Sequence, residues 1–215
     1  MRLLLIRHGQ TPANVRGILE TTVPGPGLTD LGREQAAALP DALADRGITR
    51  IFVSNMVRTS ETAAPLAAAL GLRPVVLPGL REIESGDLEG ARDRVSVDSY
   101  LSTFFAWIQG DREQAIPGSS NGHEFFARYD DAIAQVVATG ASVAAVFSHG
   151  AAIRTWAGAT WAHTDETFSG HALSNTGIVE LDGVPGSWRV VEWEGVPLGG
   201  AELLDPAAPD PTGRL

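Results

Sequence analysis

The stretch Arg2-Leu-Leu-Leu-Ile-Arg-His-Gly9 carries the reading of the fold. Leu3 to Ile6 is a short apolar run that stops abruptly at a cation, an imidazole and a glycine. A run this short and this apolar fits a strand buried on both faces, as in a parallel sheet covered by helices, better than it fits a helix. Arg7, His8 and Gly9 then stand at its carboxyl end, where open α/β sheets place their ligand crevice. Gly9 allows a sharp turn and close backbone approach to a ligand. Taken alone, the tripeptide is explained equally well by a surface arginine and a capping histidine, so partners for His8 must come from elsewhere.

A second such stretch exists. Val143 to Phe147 is another apolar run, and it ends at Ser148-His149-Gly150 ahead of a helix-forming segment. Between the two, Thr29 or Asp30 caps a helix running to about Leu43, Ile51 to Ser54 reads as a buried strand, and a helix from Arg58 to Leu70 stops at Gly71. Pro74 to Leu77 reads as a further strand, and Gln10 to Gly27 as loop. Residues 85–120 form an excursion from the sheet, with an aromatic-rich helix over Ser96 to Gln109 and a capping box, Asn121 with Glu124, opening the next helix. Ile178 to Leu181 and Trp188 to Trp193 read as a hairpin. Strands alternating with helices predict an α/β fold with a mainly parallel sheet, in one domain over residues 1–198. The Pro- and Gly-rich residues 199–215 are expected to be a mobile C-terminal tail.

The 215 residues are 44% hydrophobic and 20% charged, enough to bury a full core, and carry a formal net charge of -10. That charge disfavours nucleic acid and anionic membrane as partners. With no cysteine, disulfides, thiolate metal sites and cysteine nucleophiles are absent. No apolar stretch approaches a membrane span, and a cytoplasmic location is the expectation. A homodimer stays open as an assembly.

In a parallel sheet the carboxyl ends of strands share one edge, so His8 and His149 can meet there, and Arg58 opens on the same edge. Arg7 and Arg58 supply planar forks suited to phosphoryl oxygens. Two histidines, two arginines and a nearby carboxylate point to phosphoryl transfer through a phosphohistidine: a neutral imidazole attacks phosphorus while the cations stabilise the equatorial charge. Glu82 is the best placed proton donor, with Glu84, Asp87 and Glu89 competing on the same loop. His123, His163 and His171 are given no role, and Tyr100, Phe104, Phe105 and Trp107 are read as packing, with some of them near the pocket mouth.

The motifs Arg7-His8-Gly9-Gln10-Thr11 with Asn14, Leu28-Thr29 with Gly32, Ser54 with Arg58 and Glu61-Thr62-Ala63, Leu80-Arg-Glu82 with Gly86, and Ser148-His149-Gly150 with Arg154 resemble the histidine phosphatase superfamily, which includes phosphoglycerate mutases and broad-specificity phosphatases. The resemblance implies a three-layer α/β/α sandwich and a metal-independent phosphomonoesterase without cofactors. It makes His8 the phosphorylated nucleophile, Arg7, Arg58 and His149 the phosphate pocket, Glu82 the proton donor, and Asn14 and Gly150 substrate-binding positions. The substrate would be a small phosphomonoester, with phosphate or a similar oxyanion fitting the pocket. Mutase-type phosphotransfer and non-catalytic phospho-ligand binding are the alternatives. Two departures are visible. Glu20 stands where related phosphatases often have a neutral or basic contact, which disfavours substrates with several anionic groups, and Ser119 stands where a glutamate is common.

Overall fold

Leu3, Leu4, Leu5 and Ile6 are all fully buried in the computed structural model, which describes residues 1–162 and 171–213. They form β1 (Arg2–Arg7), and their alternation sorts them to two faces. Leu3 and Leu5 pack with Tyr100, Phe104, Trp107, Phe125, Tyr129 and Trp156 on one side, while Leu4 and Ile6 pack with Leu39, Leu43, Ala63 and Leu66 on the other. A strand apolar on both faces must be covered on both, and the three-layer α/β/α sandwich follows.

The sheet has six strands in the order β3-β2-β4-β1-β5-β6. β2 is Arg50–Val53, β3 Val75–Val76, β4 Val143–Ser148, β5 Ile178–Val184 and β6 Ser187–Glu194. β1 to β4 run parallel to one another, and the β5–β6 hairpin adds antiparallel to β1. The helices are α1 (Pro12–Arg16), α2 (Asp30–Ala42), α3 (Val57–Leu70), α4 (Arg94–Ile108), α5 (Gly122–Ala138) and α6 (Gly150–Ala162). α2 and α3 cover one face, and α4, α5 and α6 the other. Start signals read from sequence operate as expected: Thr29 caps α2, and Asn121 with Glu124 closes a capping box on α5. Among the described residues no helix is long and apolar enough to cross a membrane.

Two expectations change. The loop after β1 contains α1, because Thr11 and Asn14 form a reciprocal capping box, Pro12 is set for the first turn, and Gly17 ends it at a φ of 65°. Such a short helix has too little periodicity to be seen in the sequence. Residues 199–213, expected to be mobile, pack back on the core instead: Gln35 Nε2 donates to the Leu203 carbonyl, Gln10 Nε2 to Asp205, and Ala208 and Asp210 are each 5% exposed. Specific polar anchors on α2 and the β1–α1 loop hold a segment whose composition alone reads as disordered. Tyr100, Phe104 and Trp107 lie in the core, in line with their reading as packing residues.

Leu5→Ala removes a fully buried side chain from the central strand and is expected to destabilise the protein by about 2–5 kcal/mol. Val95→Ser, at a side chain 80% exposed, is expected to stay within about 0.5 kcal/mol of the parent. Urea unfolding of the two variants checks both.

Candidate active site

The register Arg7↔Ser148 between β1 and β4 brings their next residues, His8 and His149, side by side. The His8 amide donates to the Ser148 carbonyl at 3.1 Å, and the two imidazole centroids are 5.2 Å apart. His8 Nδ1 lies 2.8 Å from the Gly9 carbonyl oxygen. A carbonyl only accepts, so Nδ1 carries the proton and Nε2 is left with a free lone pair. Asn175 Nδ2 donates to the His8 carbonyl at 3.0 Å and fixes this turn from the far side of the sheet. Burial, reinforced by the Arg58 and Arg7 charges, holds the His8 pKa well below 6.5, so the ring is neutral at neutral pH. Gly9 also has a packing role. A side chain there would collide with the Gly32 carbonyl at 2.7 Å, so glycine permits this loop-to-helix packing.

β2 ends beside β4, and its following residue, Ser54, meets His149 Nε2 at 2.8 Å. Arg58, in the first turn of α3, donates from Nε to His149 Nδ1 at 3.2 Å, so His149 is neutral with its proton on Nε2. Burial and the Arg58 charge likewise push its pKa well below 6.5. Arg58 is 3% exposed, and its outer nitrogens reach the Glu20 carboxylate at 3.1 Å and the Glu20 carbonyl at 3.2 Å.

Packing separates the four acidic side chains of this loop. Ser148 Oγ donates to the Leu80 carbonyl, and Arg128 donates to the carbonyls of Gly79, Arg81 and Glu82, pinning this loop beneath β4. Glu82 is thereby 4% exposed at the amino end of α6. Its Oε1 accepts from the Ile83 and Ala152 amides and its Oε2 from Ala151 alone, leaving Oε2 room for a proton. Burial raises its pKa above 4.5 against the pull of those amides and of Arg58. Two of its three rivals are engaged elsewhere. Glu84 pairs with Arg81, and Glu89 ties Thr21 to Ser85. Hydrogen bonds from Ser85 and Thr21 outweigh burial and keep the Glu89 carboxylate below 4.5.

Arg7, Asn14 and Gly150 meet a partner that sequence reading missed. Arg7 gives Nη1 to Asp210 Oδ2 at 2.6 Å and Nη2 to Asp210 Oδ1 at 2.5 Å. Nη1 also donates to the Leu173 carbonyl and Nη2 to Thr212 Oγ1. Asn14 Nδ2 donates to the same Asp210 carboxylate at 3.0 Å, and its Oδ1 accepts the Thr11 amide as the α1 cap. Gly150 faces Thr212 Oγ1, which stands 2.8 Å from where a Cβ would lie, with Arg7 Nε at 2.9 Å. Nothing in the local pattern around Pro209-Asp210-Pro211 marks it as part of this site.

The space beside His8 is lined by Asn14, Glu20, Thr21, Arg58, Glu82, Pro211 and Thr212. That space is narrow and partly enclosed. Arg7 and His149 are fully buried behind this wall. His123 pairs with Glu113 at the surface, His171 lies between Trp161 and Trp193, and His163 lies outside the described residues. Among the described residues no cluster of histidine and carboxylate side chains is arranged to hold a metal ion.

The two lowered histidine pKa values have a stability consequence. As pH falls through about 6.5, the unfolded chain takes up protons that folded His8 and His149 refuse, so stability is lost in the acid direction. Glu82 works oppositely: its raised folded pKa favours the native state as pH falls toward 4.5. Thermal unfolding from about pH 7 to about pH 5.5 is expected to show a falling midpoint, with a shallower fall in His149→Gln.

Known proteins are similar to this chain in sequence and fold. A PE-PGRS family protein of Mycobacterium tuberculosis is 39% identical over 219 residues, which cover 92% of this chain but 37% of that protein. The adenosylcobalamin/alpha-ribazole phosphatase of Salmonella typhimurium is 33% identical over 128 residues, covering 60% of this chain and 62% of that enzyme. The matches thus span less than two thirds of these relatives. Among solved structures, a mycobacterial glucosyl-3-phosphoglycerate phosphatase in complex with VO3 superposes with a TM-score of 0.71 at 26% identity, over 90% of this chain and 98% of that one. The alpha-ribazole phosphatase of Shigella flexneri gives 0.68 at 26% identity, over 90% of this chain and 96% of that one. Residues 3–195 match the sequence profile of one family, and the chain belongs to it: the histidine phosphatase superfamily, branch 1.

Proposed function

We propose that this chain is a phosphatase that hydrolyses a small phosphomonoester through a phosphohistidine at His8, with no metal. The observation that carries the reading is the His8 ring itself. Nδ1 is tied to the Gly9 carbonyl and burial beside two guanidinium groups keeps the ring neutral, so Nε2 is a nucleophile at neutral pH without a separate base.

In the first step Nε2 forms a bond to phosphorus as the ester P–O bond breaks, and the departing oxygen takes the Glu82 proton. Arg58 and His149 beside the ring, together with Arg7, meet the charge that spreads over the equatorial oxygens. In the second step water attacks the phosphohistidine, Glu82 takes its proton, and the P–N bond breaks to release phosphate and neutral His8. A carboxyl raised by burial suits both halves of this exchange. The similar proteins named as phosphatases support the same reaction class.

Glu20 deepens the substrate reading. Its carboxylate shares the pocket wall with Arg58 and is 22% exposed toward the opening. A second phosphate or carboxylate on the substrate would face it with like charge, so esters bearing one anionic group are favoured. Transfer to a bound alcohol instead of water uses the same phosphoenzyme, and the acidic Glu20 at the pocket wall favours water over an acceptor that carries its own phosphate or carboxylate.

Phosphate release from a panel of phosphomonoesters in the presence of chelator is expected for the parent chain, with turnover and acid-labile phosphoryl labelling both lost in His8→Ala. Retained turnover in that variant would sink the mechanism. Glu82→Gln is expected to lose about 10²–10⁴-fold with alkyl phosphates and far less with nitrophenyl phosphate, whose leaving group needs no proton. The alkaline limb of the parent kcat/KM profile, which reports the Glu82 proton, should vanish in the same variant; equal losses on both esters would remove Glu82 from the acid role.

A further inference from the structure

Arg7 has five N–H donors, and the four on its outer nitrogens are all spent inside the protein: two on Asp210, one on the Leu173 carbonyl and one on Thr212. Arg58 is similarly engaged with Glu20. The guanidinium groups suited to a phosphoryl dianion therefore hold carboxylates of their own chain. A bidentate carboxylate on a guanidinium presents two oxygens in the plane that a phosphate would use.

The segment that brings Asp210 is seated by separate contacts along its length. Its amide donates to the Asn14 carbonyl, Arg154 Nη1 donates to the Thr212 carbonyl at 2.9 Å, and the Gly213 carbonyl accepts the Leu173 amide. Asp210 itself adopts a φ of 38°, a left-handed conformation uncommon outside glycine that its buried ion pair holds in place. Pro211 and Thr212 line the space next to His8. The segment that holds Arg7 through Asp210 therefore also borders the nucleophile.

We infer that residues 209–213 are a built-in plug of the phosphate pocket, in which the Asp210 carboxylate occupies the Arg7 and Asn14 donors and must withdraw before a phosphoryl dianion binds. The inference rests on the phosphate-pocket reading above and adds to it a competition between two anions, one tethered and one free. Tethered occupancy lowers apparent phosphate affinity by the fraction of molecules in which the segment is seated. The chain thus idles closed, with its buried arginines neutralised, and opens as phosphorylated ligand displaces the segment. Asp210 bears on binding and not on the phosphoryl transfer itself.

The test uses inorganic phosphate as the probe, so it does not depend on turnover. Calorimetric titration is expected to give Asp210→Ala about tenfold or more tighter phosphate binding than the parent, with Asp210→Asn between them. In the parent chain, hydrogen exchange at the Asp210 and Gly213 amides, which donate to the Asn14 and Asp210 carbonyls, is expected to accelerate as phosphate saturates. Equal or weaker phosphate binding by the variants, or unchanged exchange at saturation, would overturn the plug while leaving the pocket reading intact and would make Asp210 a support for Arg7. Phosphate binding by neither parent nor variants would overturn both.

Discussion

The parallel pairing of β1 with β4 is the constraint on which the rest depends. Its register sets Arg7 opposite Ser148, so the first residue beyond each strand is a histidine and the two rings come within 5.2 Å. A slip of one residue would send Leu3 and Leu5 to the face that Leu4 and Ile6 now fill and would separate the rings. The hydrophobic alternation of a strand buried on both sides therefore holds the chemistry in place. β2, on the other side of β4, adds Ser54 to His149 and launches α3 with Arg58 in its first turn.

A second constraint is electrostatic. Arg7 and Arg58 are at most 3% exposed, and a buried guanidinium is tolerated only with partners. The chain answers with carboxylates from distant positions: Asp210 on Arg7, and Glu20 on Arg58. The imidazoles, packed among these cations, remain neutral because burial and positive neighbours act in the same direction. One arrangement accounts for a neutral ring nitrogen, for cationic groups beside it and for the seating of residues 209–213. The formal charge of -10 for the whole chain says nothing of this local excess of positive charge.

Glu82 shows how packing selects among equivalent residues. Four acidic side chains, Glu82, Glu84, Asp87 and Glu89, lie close together in sequence, and any could serve as an acid by composition. Arg128 and Ser148 draw the backbone around Glu82 inward, whereas Glu84 turns to Arg81 and Glu89 to Thr21 and Ser85. The residue that ends up buried at the start of α6 is the one whose pKa rises.

The sequence by itself determined the sheet strands, the five longer helices with the caps on α2 and α5, and the placing of His8, His149, Arg7 and Arg58 at one edge. These depend on local periodicity, on cap and turn residues, and on the rule that parallel strands share a carboxyl edge. Helix α1 escaped because its five residues carry no repeat, although its cap residues Thr11 and Asn14 were in view. Only the tertiary structure decided which carboxylate each arginine holds, that Glu82 is buried against the start of α6, and that residues 199–213 pack back on the core. Asp210 and Arg7 are 203 positions apart. No spacing rule links them, because their pairing is set by the burial of a charge and by the path of the chain around the sheet.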